Sequence, residues 1–573
     1  MTDRLADLSP ERRAEDLRSA AATEADVVVI GGGVVGAGCA LDSASRGLRV
    51  VLVEQRDLAS GTSSRSSKLF HGGLRYLEQR EFRLVAEALR ERGLMVHRLC
   101  PHLAAPVSFV YPLRRRGWER LYVGAGVALY DLFARRGPAA LPRHRHLGAR
   151  SLRRLVPALR ADAAIGGVRY WDALVDDARH TVALSRTAAA HGASILTSMQ
   201  VVRLLRAGDR VVGVVVRDSE TGEEVELRAR QVVNATATWT DEIQSMAGRG
   251  TLRVRASKGI HLVVPRDRIP ADSGMILRTP SSVLFVIPWR QHWIVGTTDT
   301  DWHLDLAHPA ATAADIDYLL GQLNSVLRSP LGHEDIEGVY AGLRPLLEGE
   351  SEETSALSRE HAVHQTVPGL VTVAGGKYTT YRVMARDAVD VVARNLGGSI
   401  APSCTEDVPL VGAEGFTGVW NRRARLAAEA GLPGSVVEHL LRRHGTDTLA
   451  ILGLVAERAE LGRPIGSGGP YLRAEVVHAC RAEGARHLDD VLARRTRLSI
   501  ETFHRGVACA REVAELMSVE LGWDAAAIDA EVEAYEERVR AERHSQTQPD
   551  DVRADAARGV ARERRRPRPL RED

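Results

Sequence analysis

Residues 26–54 read DVVVIGGGVVGAGCALDSASRGLRVVLVE and decide the fold of this chain. The apolar run at the start predicts a buried strand, and it is followed by three glycines at G-x-G-x-x-G spacing, Gly31, Gly33 and Gly36. A helix is then predicted to about Gly47, and a second apolar run ends at Glu54. This order predicts a dinucleotide site, in which the pyrophosphate faces the helix N-terminus and the acid binds ribose hydroxyls.

The following segment, residues 61–78, reads GTSSRSSKLFHGGLRYLE. A nicotinamide enzyme would normally continue directly into its next helix and strand. Here hydroxyl side chains suit a backbone that follows a long bound cofactor. The basic side chains suit an anionic substrate beside that cofactor.

The run S-S-K-x-x-H-G-G-L-R-Y-L-E within this segment resembles the signature of FAD-dependent glycerol-3-phosphate dehydrogenases, of the actinobacterial type. The segments GVYAGLRP (338–345) and GGKYTTYR (375–382) resemble two further motifs of that family. The resemblance extends from about Asp26 to about Gly522. It implies FAD as cofactor, glycerol 3-phosphate as substrate, dihydroxyacetone phosphate as product and a membrane quinone as electron acceptor.

Composition fits a soluble protein of several domains, since 573 residues predict three or four of them. The net charge of +3 comes from 77 basic and 74 acidic residues, so no global field favours nucleic acid. Five scattered cysteines without a C-x-x-C pair indicate reduced thiols and a cytoplasmic location. The N-terminus has no signal-peptide h-region, and no apolar run reaches the ~18 residues of a spanning helix.

The predicted fold is α/β followed by α. It combines a Rossmann-like FAD-binding domain of the glutathione-reductase/D-amino-acid-oxidase type, an antiparallel-sheet substrate domain and an all-helical C-terminal domain. The predicted boundaries are an N-terminal arm at 1–24, loosely attached; the FAD-binding domain at 25–100, 165–250 and 335–398; the substrate domain at 101–164 and 251–334; the helical domain at 401–540; and a disordered tail at 543–573.

One position departs from the family pattern. Flavoproteins of the glutathione-reductase-like type, which this part of the chain resembles, carry A-T-G after the strand that follows the β-meander, whereas this chain has Ala235, Thr236 and Ala237. The added methyl group is expected to affect how closely the backbone approaches FAD, without abolishing binding.

Site residues are assigned from the resemblance together with chemical fitness. His71 is the leading catalytic base, because imidazole titrates near neutral pH, and Arg344 would hold the developing alkoxide. The phosphate is assigned to Arg75 and Lys377, with Tyr76 and Arg359 as weaker candidates. The predicted cofactor residues are Gly31, Gly33, Gly36, Glu54, Thr62, Ser63, Ser67, Lys68, Gly72, Val202, Thr236, Gly376, Tyr378 and Thr379. No metal site is predicted.

The segment Leu113–Phe133 has two interpretations. Arginines 114–116 and Trp118 precede an apolar stretch that is too short to span a bilayer. Such a helix suits peripheral contact with the inner face of the cytoplasmic membrane. It equally suits a partly buried helix with arginine caps, and both interpretations stay open. A homodimer also stays open.

Three other functions compete with the dehydrogenase. A glycerol-3-phosphate oxidase would use the same half-reaction and pass electrons to oxygen. A flavin-bearing protein that binds RNA through the arginine-rich tail is a different class, although a solvated tail is favoured and no nucleic acid partner is predicted. A nicotinamide dehydrogenase is the third alternative.

Overall fold

The structure, a computed structural model, describes residues 6–115, 117–134, 141–248, 250, 252–279, 283–348, 360–466, 469–561 and 565, apart from the side chain of Arg75. The predicted substrate residue Arg359 lies outside the described residues, as does Arg116 of the predicted membrane segment.

Strands and helices are numbered here in chain order. The strands are β1 (Ala25–Ile30), β2 (Val50–Val53), β3 (Leu69–Phe70), β4 (Ala104–Leu113), β5 (Arg145–Gly148), β6 (Gly166–Val175), β7 (Ser194–Leu196), β8 (Met199–Ala207), β9 (Arg210–Asp218), β10 (Glu224–Asn234), β11 (Val254–Pro265), β12 (Gly274–Arg278), β13 (Val283–Trp289), β14 (His292–Gly296), β15 (Thr300–Trp302), β16 (Gly338–Leu347), β17 (His361–Val367) and β18 (Leu370–Gly375). The helices are α1 (Pro10–Ala22), α2 (Val34–Ser45), α3 (Arg75–Glu78), α4 (Phe82–Leu94), α5 (Trp118–Ala134), α6 (Ala149–Leu155), α7 (Asp177–Ala190), α8 (Thr240–Met246), α9 (Ala313–Asn324), α10 (Tyr381–Leu396), α11 (Phe416–Asn421), α12 (Arg423–Ala430), α13 (Gly434–His444), α14 (Thr448–Glu457), α15 (Arg473–Ala482), α16 (Leu498–Glu501), α17 (Ala510–Leu521), α18 (Ala525–Ser545) and α19 (Asp551–Gly559).

The first sheet has the strand order β17-β18-β10-β1-β2-β7. Its central strand β1 pairs in parallel with β10 and β2. Alternate side chains of β1 enter different cores: Val27 and Val29 pack with helices α2, α7 and α10, whereas Val28 and Ile30 pack with the meander of β8 and β9. The strand is therefore buried on both faces, as its continuous apolar run predicts. The Rossmann-like prediction is confirmed.

The second sheet has the order β15-β11-β14-β13-β12-β4-β6-β3, with β16 beside β11 and β5 beside β6. All of its pairs are antiparallel except β4 with β12. The predicted boundaries are wrong at two places: 166–175 and 338–347 were assigned to the FAD-binding domain, but β6 pairs with β4 and β16 pairs with β11. Each strand is visible in the sequence, whereas its partner is decided by the tertiary fold.

The C-terminal domain is helical, as predicted, and buried ion pairs join it to the first sheet's domain. Arg495 bonds Asp57 at 2.7 Å, Arg497 bonds Asp176 at 2.6 Å, and Arg179 bonds Glu483 at 2.5 Å. Every one of these side chains is less than 10% exposed. Breaking one partner of a buried pair typically costs ~3–5 kcal/mol, so this domain is firmly attached.

The N-terminal segment is a packed helix. Ser9 caps α1, because its hydroxyl accepts from the backbone N–H of Arg12 at 3.2 Å. The Arg13 guanidinium donates to the Thr197 carbonyl and to Asp218, each at 2.9 Å. The prediction of a loosely attached arm is therefore wrong for residues 9–22.

The C-terminal segment is also ordered where it is described. Helix α18 continues to Ser545, and α19 packs Ala554 into a cluster with Trp302. Asp551 forms an ion pair with the buried Lys258. The prediction of a disordered tail is therefore wrong for residues 543–561. Its charged composition suggested disorder, but the segment forms helices that pack through one face.

Candidate active site

Two cavities lie at the ends of the first sheet's strands. A smaller cavity of about 100 Å³, here called the adenosine-side cavity, is lined by Gly31, Glu54 and Thr236. A larger cleft of about 580 Å³ lies between the two sheets. Thr62 lines both spaces, so an extended ligand can reach from one into the other.

The glycine turn beside the adenosine-side cavity leaves space only at Gly33. A Cβ on Gly31, whose φ is +112°, would lie 2.8 Å from the Ala235 carbonyl oxygen, and one on Gly36 would lie 1.9 Å from the Gly31 oxygen. A Cβ on Gly33 would meet only the Ser63 hydroxyl, at 3.2 Å. The first glycine and the last are therefore required by the fold, whereas Gly33 leaves room for a ligand at the start of α2.

The N-terminus of helix α2 borders this space through Gly33 and Ser63. The Val34 N–H, in the first turn of α2, donates to the Ser63 hydroxyl at 2.9 Å. Gly33 precedes the helix and provides no side-chain cap. Such a helix N-terminus favours an anion, so this turn fits the pyrophosphate of FAD.

Glu54 lies at the end of β2, as predicted. Its carboxylate accepts from the backbone N–H groups of Gly32, at 2.6 Å, and Arg56, at 2.9 Å. Burial raises the pKa of Glu54, while these two bonds act against that shift. Because the same side chain lines the adenosine-side cavity, it is placed to accept from ribose hydroxyls.

Ala237 adopts a backbone conformation that favours glycine. Its φ is +55°, in the left-handed region that disfavours residues with a Cβ. Ala237 and Thr236 both line the adenosine-side cavity, and the Thr236 hydroxyl donates to Asn234 at 2.6 Å. The turn therefore keeps its conformation despite the added methyl group.

Val201, and not Val202, lines the adenosine-side cavity. The lining there is formed by Met199, Gln200 and Val201, and the β8–β9 register shifts between Val201 and Arg203. This irregularity changes which side chains face the cavity. Val202 is absent from this lining, and its assignment to the cofactor stays a prediction.

The large cleft brings together segments that are far apart in sequence. The His71 N–H donates to the Thr379 hydroxyl at 3.1 Å, and that hydroxyl lies 3.2 Å from the His71 carbonyl oxygen. The Lys377 ammonium lies 3.5 Å from the centre of the Tyr76 ring, close enough for a cation–π interaction. Predicted residues that line the cleft are Thr62, Ser67, His71, Tyr76, Arg344, Gly376, Lys377, Tyr378 and Thr379.

Arg344 reaches the same cleft from β16. Its guanidinium donates to the Thr297 hydroxyl and to the Thr298 carbonyl, each at 3.0 Å. It also lies 3.4 Å from the Asp299 carboxylate. These bonds fix the direction of the guanidinium, so the cleft contains a positioned positive charge.

Besides Val202, three predicted cofactor residues lie outside both cavities. Gly36 packs against Gly31. Lys68 is fully buried in an ion pair with Asp177. Gly72 donates its N–H to the Tyr130 hydroxyl at 2.8 Å, and a Cβ there would lie 2.8 Å from that ring.

Arg75 begins helix α3, while its side chain lies outside the described residues. Its assignment to the phosphate of the substrate stays a prediction.

His261 on β11 is a cleft residue that the sequence reading missed. Its Nε2 lies 2.8 Å from the Ser67 hydroxyl, and its ring stacks on Tyr340 with centroids 4.8 Å apart. Burial lowers its pKa well below the usual value, with further lowering from Arg344 and Lys68. The only sequence signal is a polar residue within an apolar strand, GIHLVV, which does not show which face is turned to the cleft.

Comparisons with known proteins agree with this geometry. Residues 26–385 match the family of FAD dependent oxidoreductases, and residues 403–528 match the C-terminal domain of alpha-glycerophosphate oxidase. The crystal structure of the glycerol-3-phosphate dehydrogenase from Bacillus halodurans, complexed with FAD, superposes with a TM-score of 0.77 at 29% identity, over 93% of this chain and 98% of that one. The fold and the site thus define an FAD-dependent oxidoreductase.

Sequence relatives narrow the class. Glycerol-3-phosphate dehydrogenase 2 of Mycobacterium tuberculosis is 58% identical over 97% of this chain and 95% of its own length. The mitochondrial glycerol-3-phosphate dehydrogenase of Bos taurus is 34% identical over 91% of this chain and 74% of its own. The chain belongs to the family of FAD-dependent glycerol-3-phosphate dehydrogenases.

Proposed function

We propose that this chain oxidises sn-glycerol 3-phosphate to dihydroxyacetone phosphate and passes the electrons to a membrane quinone. Bound FAD supplies a hydride acceptor for the hydrogen on the secondary carbon. The observation that carries the proposal is that Arg344, Lys377, His71 and Tyr76 line one cleft. This cleft continues into the adenosine-side cavity.

The cations of the cleft suit the two negative charges of the substrate. Lys377 on the Gly-Gly-Lys turn, with Arg75 on α3, is assigned to the phosphate. Tyr76 supports the lysine through its ring. Arg344, already directed by Thr297 and Thr298, is assigned to the oxygen that gains charge as its proton leaves. Arg359 stays a weaker candidate for the phosphate.

Two histidines compete for the role of base. His71 is the leading candidate, since its backbone is fixed by Thr379 and its ring lies edge-on to Phe285. His261 is the second candidate, because its lowered pKa keeps the imidazole neutral at neutral pH and so able to accept a proton. Replacing each by Gln distinguishes them: loss of the base lowers kcat by roughly 10²-fold or more, with FAD content unchanged.

An apolar groove beside the cleft supports the quinone as acceptor. This groove, of about 830 Å³, shares Leu74, Tyr111 and Ile276 with the cleft and continues along helix α5. Helix α5 buries one face and exposes Trp118 (61%) and Leu121 (75%) on another. Among the described residues no helix is long and apolar enough to cross a bilayer. We infer peripheral contact through this face of α5 with the inner surface of the cytoplasmic membrane.

The deciding experiment is anaerobic titration of the purified, FAD-loaded protein. Glycerol 3-phosphate is expected to bleach the flavin absorbance, whereas glycerol at the same concentration leaves it unchanged. No bleaching by glycerol 3-phosphate would overturn the proposal. After reduction, reoxidation by a soluble quinone faster than by oxygen supports the dehydrogenase, while stoichiometric hydrogen peroxide would select the oxidase.

A further inference from the structure

A third cavity lies between the cofactor-binding loop and the helical domain. It measures about 80 Å³, and its walls include Arg56, Ser60 and Arg65 from the loop and Asp489 and Arg538 from the helical domain. Arg56 and Ser60 also line the adenosine-side cavity, and Arg65 also lines the large cleft. The third cavity is therefore directly behind the loop that faces the cofactor.

The acidic groups in its wall are Asp489, Asp490 and Glu531, and each already has a partner; Glu531 bonds His487 at 2.8 Å. Asp489 bonds Arg494 at 2.7 Å and also pairs with Arg538. Asp490 bonds Arg494 at 2.7 Å and Arg565 at 2.8 Å. These carboxylates are therefore neutralised without help from the loop.

The two loop arginines lack such partners. Each donates to the Ala307 carbonyl oxygen, Arg56 at 3.4 Å and Arg65 at 3.2 Å. Within the described part of the chain, neither guanidinium forms an ion pair with a carboxylate. Among the described residues neither guanidinium therefore has a bonded counter-ion, and the carboxylates that act on them without an ion pair are Glu54 near Arg56 and Glu542 near Arg65.

A buried donor points to the same conclusion. Arg56 is only 7% exposed, and its Nε atom has no hydrogen-bond partner among the described residues. Leaving a buried donor unsatisfied is unfavourable, and more so for a charged group. Burial, with the positive charges of Arg56 and Arg538 nearby, lowers the pKa of Arg65 to about 9. The surroundings of Arg65 therefore disfavour its charged form. A bound anion would remove both penalties.

We propose that this cavity is a binding site for a phosphate group, held by Arg56 and Arg65. Guanidinium groups match tetrahedral oxyanions through paired N–H donors. The volume corresponds to between two and three water molecules at ~30 Å³ each, which suits one such group. The group would come from inorganic phosphate or from the end of a phosphomonoester whose remainder extends out of the cavity. Its binding would join the cofactor loop to the helical domain.

The test uses the FAD-loaded protein in phosphate-free buffer, with inorganic phosphate as titrant in calorimetry and sodium chloride at equal ionic strength as control. We expect saturable binding that Arg65→Gln weakens at least tenfold, that Arg65→Lys partly restores, and that the exposed Arg18→Gln leaves unchanged. The titration is repeated with Lys377→Gln, which weakens phosphate binding in the substrate cleft; saturable binding that persists in this variant belongs to the third cavity, because Lys377 is absent from its lining. Methyl phosphate binding more tightly than inorganic phosphate would identify a phosphomonoester as the source; the reverse would identify free phosphate.

Each contrary result is also decisive. Equal phosphate binding by the wild type and Arg65→Gln overturns the site. Complete loss of phosphate binding in Lys377→Gln would show that the ion binds in the substrate cleft and not in the third cavity. If Arg65→Gln and Arg56→Gln are both isolated without FAD, while Arg18→Gln retains it, the two arginines serve the cofactor. Should Arg65→Gln fail to fold, the Arg56→Gln and Arg65→Lys variants carry the same comparison.

Discussion

The ammonium of Lys68 donates to Asp177 Oδ1 at 2.9 Å, and both side chains are completely buried. Asp177 also bonds Arg497 of the helical domain at 2.5 Å. Lys68 donates in addition to the Ser64 carbonyl at 3.0 Å. The lysine of the signature motif thus ties the cofactor loop to the start of α7 and to the C-terminal domain.

Lys68→Met is therefore expected to destabilise the protein. Removing one partner of a buried pair typically costs ~3–5 kcal/mol. Burial and Arg497 lower the pKa of Lys68 to about 8, so the ammonium is still charged at pH 7. The loss should appear as a lower denaturant midpoint. Lys377→Met is the control, with reduced kcat/KM and a nearly unchanged midpoint; equal midpoints for the two variants would contradict this assignment.

Substitution of Gly33 should weaken FAD binding, whereas substitution of Gly36 should destabilise the fold. Gly33→Ala is expected to fold with near-normal stability, because its Cβ meets only the Ser63 hydroxyl, but to bind FAD at least tenfold more weakly. Gly36→Ala should fail to fold stably, since its Cβ would lie 1.9 Å from the Gly31 oxygen. The measurements are FAD content by visible absorbance and the unfolding midpoint.

Gly321→Ala in α9 is the matched control for these glycine changes, because no atom lies within 4 Å of its added Cβ. It should change neither FAD content nor, by more than ~1 kcal/mol, stability. Full FAD occupancy in Gly33→Ala would show that the pyrophosphate does not bind at this turn.

Ala237→Gly tests the departure from the family pattern. A left-handed non-glycine residue costs roughly 1–2 kcal/mol, and glycine adds about 0.5–1 kcal/mol of unfolded-state entropy. We therefore expect a net gain of about 0.5 kcal/mol in unfolding free energy, with tighter FAD binding. Ala59→Gly is the control, since Ala59 has φ +61° but does not line the adenosine-side cavity. An equal effect of both changes on FAD affinity would show that the methyl group of Ala237 is irrelevant to the cofactor.

The exposed face of α5 is expected to bind anionic lipid. Arg114 and Arg115 are exposed at the start of this helix, and each basic residue near such a surface contributes about 1 kcal/mol. The double change Arg114→Glu/Arg115→Glu should weaken binding to phosphatidylglycerol vesicles by more than tenfold, while turnover with a soluble dye persists. Arg203→Glu, an exposed change on β8, is the control. Unchanged vesicle binding would leave α5 as a helix with arginine caps and no lipid contact.

Sequence reasoning predicted the local geometry correctly where it depends on neighbours along the chain. The glycine turn and Glu54 lie within one β-α-β unit, so their spacing determines their arrangement. Lys68 and His261 behave differently, because their roles depend on Asp177 and Ser67, which are distant in sequence. The interpretation of Lys68 as a cofactor residue could not be corrected without knowing that Asp177 is buried beside it.

The predictions for the two ends of the chain were wrong for another reason. Residues 9–22 and 543–561 are rich in charge, which predicts solvation. Arg13 and Asp551 nevertheless use that charge in contacts with Asp218 and Lys258. Composition describes how much charge a segment has, and only the fold shows where its partners are.

The last prediction concerns the substrate clamp. Loss of a charged partner at a buried contact costs ~2–5 kcal/mol, and each ~1.4 kcal/mol is tenfold. Lys377→Met is therefore expected to lower kcat/KM for glycerol 3-phosphate by roughly thirtyfold or more, mainly through KM, because the phosphate is held equally in the ground and transition states. Arg75→Ala should behave alike. Arg344→Met should instead lower kcat, because the charge that it stabilises develops only during reaction.

Steady-state kinetics with a soluble acceptor, at equal FAD content, separates these effects. Arg278→Met is the control, since Arg278 is exposed and lines the same cleft without an assigned contact to the substrate. It should lose less than threefold, as expected for a cation that adds only long-range attraction. If Arg278→Met loses as much as Lys377→Met, the cleft attracts the phosphate through its summed charge. If Lys377 and Arg75 are both replaceable with less than a threefold loss, the phosphate binds elsewhere.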